Sequence, residues 1–122
     1  MNVLVIGANG RTGRLVISSM YADRPEQGPA FLRSALLAKQ RSARVATTAS
    51  LDWTIIHPGG LTDDPGTGRV TVDTNLRGGR VPRQDVAHVA VAALAAPATI
   101  RRAFDLVSGD TPIDESLTAS PA

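Results

Sequence analysis

The chain contains no cysteine and very few aromatic residues. Among its 122 residues, aromatic side chains make up 3%, and tryptophan and tyrosine occur once each. The absence of cysteine excludes disulfide bonds, thiolate metal ligands and catalysis by a cysteine nucleophile. The arginines are scattered between Arg11 and Arg102 without interleaved aromatic residues. We therefore expect no nucleic-acid partner.

Long apolar runs are also missing. No stretch reaches the ~20 apolar residues that span a bilayer, and the N-terminus shows no basic region before a long apolar segment. We therefore expect a cytoplasmic protein without a membrane partner. The hydrophobic content of 43% is nevertheless high enough for a globular core. This length fits one domain, which we place over residues 1–122.

A glycine-rich loop directly follows the apolar run at residues 3–6. Its sequence is Gly7-Ala8-Asn9-Gly10-Arg11-Thr12-Gly13. Glycine lets a backbone approach a phosphate closely, and free N–H groups at the start of a helix attract a pyrophosphate. We therefore predict a dinucleotide-binding loop whose cofactor-binding residues are Gly7, Asn9, Gly10, Arg11, Thr12 and Gly13. The residues alone also fit a plain strand–helix turn with Arg11 as a solvated side chain.

Predicted strands and helices alternate along the rest of the chain. We predict helices over residues 11–22, 30–46 and 86–94, the last one ended by Pro97. A strand at residues 15–19 is the alternative to the first helix, but too few residues precede it for a parallel crossover. Strands are predicted at 53–56, 69–73 and 103–107, with a loop at 61–68 between the first two. Residues 111–114 predict a capping box with proline at the first helical position. This alternation is typical of an α/β fold with a mostly parallel sheet flanked by helices.

Several blocks of the sequence resemble the NAD(P)H-binding, NmrA-like branch of the atypical short-chain dehydrogenases/reductases. Besides the glycine loop, these blocks are Ser18-Ser19-Met20, Asp23-Arg24-Pro25, Leu51-Asp52-Trp53-Thr54-Ile55-Ile56-His57-Pro58-Gly59, Leu61-Thr62-Asp63, Pro82-Arg83-Gln84-Asp85-Val86-Ala87 and Phe104-Asp105-Leu106-Val107-Ser108-Gly109. The resemblance implies a Rossmann-like fold and NADP or NAD as the cofactor. It also implies a role as a reductase acting on a small-molecule substrate, or as a redox sensor.

The chain departs from this family in its middle part. Family members run to roughly two hundred residues, the usual scale of a domain, whereas here the Ser18-Ser19 block follows the glycine loop almost at once. The resemblance thus implies a truncated Rossmann-like domain with the join near residues 14–17. The missing part would include the residue about 20 positions beyond the glycines that reads the adenosine ribose.

The family's catalytic residues are a serine, a tyrosine and a lysine. Lys39, the only lysine of the chain, stands at the lysine position, and Ser19 matches the serine block. Ala35 occupies the tyrosine position four residues before Lys39, and alanine cannot donate a proton. The resemblance therefore implies an oxidoreductase with reduced or lost turnover. The alternative is a non-catalytic redox-sensing or interaction module.

His57, Pro58 and Gly59 end a predicted strand, where open α/β sheets bind ligands. In the family this turn lies near the nicotinamide, and we include these residues among the cofactor-binding ones. A plain proline turn with a glycine pair explains the same residues equally well. Asp63-Asp64 favours a solvated turn, and the two histidines do not have the spacing of a metal site. Removal of central strands would leave residues 3–6 with an unpaired edge, from which we expect self-association.

Overall fold

The computed structural model of the chain describes residues 4–6, 15–17, 26, 34, 37–38 and 53–118. The strands are β1 (Leu4–Ile6), β2 (Leu15–Ile17), β3 (Thr54–Pro58), β4 (Gly60–Thr62), β5 (Arg69–Asp73), β6 (Arg80–Pro82), β7 (Arg102–Ser108) and β8 (Thr111–Pro112). The helices of residues 53–118 are α1 (Arg83–Leu94), a short 3-10 helix (Pro97–Thr99) and α2 (Ile113–Thr118). Outside these, Ser34, Leu37 and Ala38 are helical, as the predicted helix over 30–46 requires.

Within the described part of the chain, six strands form one mixed sheet in the order β1-β2-β3-β7-β5-β8. The three strands β2, β3 and β7 are mutually parallel. The flanking pairs β1–β2, β5–β7 and β5–β8 are antiparallel. Strands β4 and β6 pair separately as a small parallel sheet. The predicted α/β class is therefore confirmed, with parallel strands at the centre of the sheet and antiparallel strands at its margins.

The core lies between one face of this sheet and the helices α1 and α2. Phe104 and Leu106 lie on either side of Asp105 in β7 and are 1% and 0% exposed. They pack in one cluster with Ile56 of β3, Val89 of α1 and Leu117 of α2. Burial of each such side chain stabilises the fold by roughly 1.5–3 kcal/mol. This packing fixes α1 against the sheet and so sets the position of its N-terminal residues.

The prediction of a helix over residues 11–22 is wrong at residues 15–17, which form β2. The reason is that β-branched Val16 and Ile17 favour a strand, and an antiparallel pairing with β1 needs no long crossover. Val5 lies opposite Val16 in that pair. Residues 18–53 then provide the dozen or more residues that a parallel return to β3 requires. The crossover argument excluded only a parallel partner for β1.

Two further boundaries differ from the predictions. The predicted loop at 61–68 begins with a strand, because the backbone of β4 pairs with β6 about twenty residues later, Leu61 lying opposite Val81. Pro112 is not the first residue of a helix but the last residue of β8, and α2 begins at Ile113. The capping box predicted for residues 111–114 is therefore wrong. The strands predicted at 69–73 and 103–107 and the helix before Pro97 are confirmed.

In the described part of the chain, no helix is long and apolar enough to cross a membrane.

Candidate functional site

The carboxyl ends of the parallel strands β3 and β7 lie side by side. His57 is in register with Asp105, and Pro58 is in register with Leu106. His57 and Asp105 are 4% and 2% exposed, so both polar side chains are buried near this end of the sheet. Open α/β sheets bind their ligands just outside the carboxyl ends of the strands. The edge formed by β3 and β7 is therefore the candidate site.

After β3, the backbone of Gly59 and Gly60 packs directly against the backbone of Leu106 and Gly79. We call this contact the glycine junction. The Gly59 amide donates to the Leu106 carbonyl at 2.9 Å, and the Gly60 amide donates to the Gly79 carbonyl at 2.9 Å. A Cβ atom on Gly59 would lie 2.5 Å from the Gly79 carbonyl oxygen. Gly79 has a φ of 112°, and a Cβ atom there would lie 2.7 Å from Val107 Cγ1. The packing of the chain itself thus requires glycine at positions 59 and 79.

The loop at residues 63–68 is fastened to the N-terminus of α1. The Gln84 side-chain oxygen accepts a hydrogen bond from the Gly66 amide at 2.8 Å. The Asp85 carboxylate accepts from the Thr67 amide at 3.0 Å and from the Gly68 amide at 2.9 Å. Asp85 is 0% exposed, and a buried carboxylate is stable only when such donors satisfy it. The loop is therefore held in one position by a buried charge.

A surface ion pair makes a further link between loop and helix. Arg83 Nη1 lies 2.6 Å from Asp63 Oδ1, with the side chains 56% and 89% exposed. Exposed pairs of this kind contribute little to stability. Asp64 is exposed as well, and the prediction of a solvated turn at Asp63-Asp64 is confirmed. The first three residues of α1 thus all contact this loop.

A cavity of about 610 Å³ opens beside this loop, next to the end of β7. Its polar lining residues are Thr62, Asp63, Asp64, Thr67, Arg80 and Ser108. We call it the edge cavity. Small-molecule sites measure roughly 300–1,000 Å³, so its volume suits a small ligand. The Thr62 hydroxyl oxygen is buried without a hydrogen-bond partner among residues 53–118, although buried hydroxyl groups are usually bonded.

The structure describes three of the site residues predicted from the sequence. His57, Pro58 and Gly59 are all buried at the carboxyl end of β3. Their role toward a cofactor stays a prediction, since Gly59 is also explained by its packing against Gly79. The remaining predicted residues lie outside the described part of the chain: Gly7, Asn9, Gly10, Arg11, Thr12, Gly13, Ser19, Ala35 and Lys39.

The strands on either side of the glycine loop affect the prediction that this loop binds a pyrophosphate. Strand β1 is antiparallel to β2, so the chain reverses its direction between residues 6 and 15. Part of that prediction was the positive N-terminal end of a helix over residues 11–22. Residues 15–17 of this range form the strand β2 instead. The loop's free amides and glycines remain the basis of the prediction.

Among the described residues, no three His, Asp or Glu side chains form a group that could hold a metal ion.

The contacts that shape the edge cavity were not predicted from the sequence. Gln84, Asp85 and Ser108 were noted only as parts of family blocks, and Arg80 was not singled out at all. An acidic residue in the first turn of a helix is a visible sign of capping. Its actual partners, Thr67 and Gly68, stand 18 and 17 residues earlier. Only the pairing of β4 with β6 brings the two segments together.

Comparison with known proteins identifies the class as NAD(P)H-binding domains. The model of the family described as NAD(P)H-binding matches residues 15–97, and the chain belongs to this family. It is 39% identical over 103 residues to the uncharacterized sugar epimerase YhfK of Bacillus subtilis (strain 168). That match covers 84% of this chain and 48% of YhfK. The chain therefore spans about half the length of this relative.

Solved structures give the same result. A protein of Bacillus halodurans classed with the NAD-dependent epimerases/dehydratases matches with a TM-score of 0.80 and 34% identity, over 84% of this chain and 49% of that one. The oxidoreductase ylbE of Lactococcus lactis matches with a TM-score of 0.76 and 27% identity over the same shares. The Rossmann-like fold is confirmed, and the family confirms the predicted cofactor type, NADP or NAD.

A more distant structure shares the fold alone. The short-chain dehydrogenase/reductase of Veillonella parvula, solved in complex with NADP, matches with a TM-score of 0.59 at 16% identity. The match covers 80% of this chain and 51% of that one.

Proposed function

We propose that this chain is an NAD(P)-binding protein of the atypical short-chain dehydrogenase/reductase type, in its NmrA-like branch, with reduced or lost turnover. The observation that carries the proposal is the edge cavity, which lies at the carboxyl end of β7 between β4, the loop after it and β6 and suits a small-molecule substrate. Its wall is fixed in advance by the buried Asp85 carboxylate. The relatives' names as a sugar epimerase and an oxidoreductase support a small-molecule substrate and redox chemistry.

The donors along the edge fit a dinucleotide. The Arg80 guanidinium and the Ser108 hydroxyl line the cavity, and both can donate to the oxygen atoms of a carboxamide or a ribose. In the proposal, the glycine loop with Asn9 and Arg11 holds the pyrophosphate, and the Pro58–Gly59 turn borders the nicotinamide. When bound, the cofactor supplies a hydride to the substrate or accepts one. The protein binds and orients both molecules.

The proposed loss of turnover follows from Ala35. In the family, the lysine and the serine hold the ribose and the substrate carbonyl beside a tyrosine that donates the proton. Lys39 and Ser19 would have these two roles here. Alanine at position 35 removes general-acid assistance, which contributes roughly 10²–10⁴-fold to such reactions. Lys39 and Ser19 can still position the reactants, so binding is retained while proton transfer is lost.

The first experiment is a titration of the purified chain with NADPH. Trp53, the only tryptophan, reports binding through quenching of its fluorescence, and calorimetry confirms the stoichiometry. We expect saturable binding that Gly10→Val abolishes, because a side chain at this position blocks the approach of the backbone to the pyrophosphate. A thermal melt of the variant controls for folding. Equal binding by the folded variant would show that the glycine loop is not the site.

The second experiment measures NADPH oxidation with quinones, aldehydes and flavins. We expect rates at the background level, and we expect Ala35→Tyr to raise the rate with quinones and aldehydes. Reduction of a flavin by hydride needs no tyrosine, so the flavin is the most demanding test. Oxidation well above background by the unaltered chain, abolished by Lys39→Ala, would contradict the proposed loss of turnover.

A second candidate function is a non-catalytic redox-sensing or interaction module. Ala35 favours it, and so does the position of β1 at one end of the sheet that the described strands form. An open β-branched edge strand is a template for a second chain, and a two-fold partner could extend the sheet there. We expect light scattering to show a dimer at micromolar concentrations. A cooperatively melting monomer at all concentrations would contradict the self-association.

A further inference from the structure

We infer that Arg80 is a specificity-determining residue of the edge cavity and binds the carboxylate group of a small carboxylic acid substrate. The inference rests on the proposed function, because it names the substrate class of the cavity described there. Two observations carry it: the contact of the Arg80 side chain with Gly60, and the fixed backbone on which this contact is made.

The side chain of Arg80 lies against the backbone of Gly60. Arg80 is the first residue of β6 and is in register with Gly60, the first residue of β4. A Cβ atom on Gly60 would lie 3.5 Å from Arg80 Cγ and 3.8 Å from Arg80 Nε. The contact therefore includes the aliphatic stem of the arginine and one nitrogen atom of its guanidinium group.

The backbone under this contact belongs to the glycine junction. The Gly60 amide donates to the Gly79 carbonyl at 2.9 Å, and Gly79 directly precedes Arg80 in the chain. Both sides of the contact are therefore held by the same hydrogen bond. A side chain that is already placed on a fixed surface loses less conformational entropy when it binds a ligand. The junction thus presents a positioned cation beside the carboxyl end of β3.

Two neighbouring arginines differ in their surroundings. Arg83 has a carboxylate partner within the protein, since its Nη1 atom lies 2.6 Å from Asp63 Oδ1. Arg80 lines the edge cavity and is exposed, together with Ser108 at the end of β7. The donors of Arg80 are therefore accessible to a molecule in the cavity.

A guanidinium group matches a carboxylate in shape as well as in charge. Its planar fork donates two parallel N–H bonds to the two carboxylate oxygens. The N–H donors of arginine outnumber these two oxygens, so Arg80 can still donate to a carboxamide or ribose oxygen of the cofactor. The geometry thus favours a small substrate that carries a carboxylate near its reactive carbonyl or hydroxyl group.

Asp64 provides a way to recognise an anionic ligand. This residue also lines the cavity, and it is exposed. Its carboxylate repels a ligand carboxylate, but weakly, because water and salt screen exposed charges. Loss of the Asp64 charge should therefore strengthen the binding of an anion, whereas loss of the Arg80 charge should weaken it. A neutral ligand that bonds to both side chains would lose affinity in both cases.

The test measures binding of two matched probes to the full chain by saturation-transfer NMR and calorimetry. Levulinate carries a carboxylate and a ketone group, and methyl levulinate has the same carbon skeleton with the charge removed by esterification. We expect levulinate to bind about tenfold more tightly than the ester, which corresponds to hydrogen bonding between charged partners. Equal binding of the two probes, or no binding of levulinate, would overturn the inference.

Variants of the two lining residues locate the carboxylate. Arg80→Met keeps an aliphatic stem over Gly60 and is expected to weaken levulinate binding about tenfold. Arg80→Lys keeps the charge but not the fork, and it should retain more binding than Arg80→Met. Asp64→Asn is expected to strengthen levulinate binding about twofold.

Arg102→Met is the matched control, because Arg102 is also an exposed arginine at the first residue of a strand but lies at the amino end of β7. It should bind levulinate as the unaltered chain does, and thermal melts show that each variant is folded. Equal losses in Arg80→Met and Arg102→Met, or weaker binding in Asp64→Asn, would place the carboxylate elsewhere and overturn the inference.

NADPH is titrated separately on each protein, because its phosphate groups are oxyanions as well. A larger loss of NADPH affinity than of levulinate affinity in Arg80→Met would assign this arginine to a cofactor phosphate and overturn the inference. If NADPH binds but levulinate does not, the substrate class is wrong and the proposed function stands. If levulinate binds with the expected pattern of variants and NADPH does not bind, the substrate class is supported and only the cofactor part of the proposed function is wrong.

Discussion

Two junctions hold the segments that line the edge cavity, and they do so by opposite means. The junction at the end of β3 is backbone against backbone, with a Cβ atom on Gly59 meeting the Gly79 carbonyl oxygen at 2.5 Å. The loop at residues 63–68 is held by side chains that reach backbone amides, above all by the buried Asp85. The first junction has no space for a Cβ atom on Gly59. The second junction requires the carboxylate oxygens of Asp85.

This difference shows which substitutions each junction tolerates. At the glycine junction, steric clash determines the effect of a substitution on stability, so even a methyl group is destabilising. At the loop, charge and hydrogen bonding determine this effect, so a substitution that keeps the shape but removes the charge is destabilising. The following predictions test this contrast, from the largest expected effect to the smallest.

Gly59→Ala is expected to destabilise the fold by about 3 kcal/mol, because the new methyl group must displace backbone rather than a flexible side chain. Gly60→Ala is the matched control. A Cβ atom there would lie 3.5 Å from Arg80 Cγ, an ordinary contact, and should change stability by less than about 0.5 kcal/mol. Urea denaturation of both variants measures the difference. Equal losses would show that the junction is not limited by space.

Asp85→Asn is expected to cost about 2–3 kcal/mol, since hydrogen bonds to a charged acceptor are lost and an amide group is turned toward backbone N–H donors. Asp110→Asn is the control, because Asp110 is exposed. Hydrogen exchange should also show the amides of Thr67 and Gly68 opening faster in the Asp85 variant alone. Unchanged exchange at both amides would contradict the assigned role of this carboxylate.

Thr62→Val is expected to raise the free energy of unfolding by about 1 kcal/mol, because valine keeps the shape and removes a buried hydroxyl without a partner. Thr67→Val provides the contrast. The Thr67 hydroxyl is bonded to the Arg69 carbonyl and to Asp85, and its removal should destabilise. Thermal melts of the two variants should therefore shift in opposite directions. A loss of stability in both would mean that the Thr62 hydroxyl has a partner.

The ion pair between Arg83 and Asp63 is expected to contribute least. Both side chains are largely exposed, and the coupling energy should be below about 0.5 kcal/mol. A double-mutant cycle with Arg83→Met and Asp63→Asn isolates this coupling. A value above 1.5 kcal/mol would show that the pair, rather than Asp85, holds the loop.

Local patterns in the sequence predicted much of the described fold. The β-branched run around Ile55, the alternating residues of β5 and the helical spacing that ends before Pro97 all lie where the structure has the corresponding elements. Each of these signals depends on neighbouring residues alone. The strand β2 was considered only as the alternative to a helix, because its antiparallel partner was not predictable from its own three residues.

The candidate site was less predictable than the fold. The position of the Pro58–Gly59 turn at the carboxyl end of a strand was correct, since it depends on chain direction only. The contacts of Asp85 with residues 17 and 18 positions earlier depend on the packing of α1 against the sheet and on β4 pairing with β6. Such long-range contacts leave no periodic signal, so only the structure reveals the cavity.

The central claim is that the carboxyl edge of β3 and β7 is the ligand-binding edge. It is tested most directly by NMR, following the backbone amides during titration with NADPH. The account predicts saturable shift changes at Gly59, Gly60 and Ser108, with little change at Thr54 and Arg102 at the amino ends of the same strands. Shift changes confined to the amino ends, or none at Gly59 and Ser108 at saturation, would contradict it.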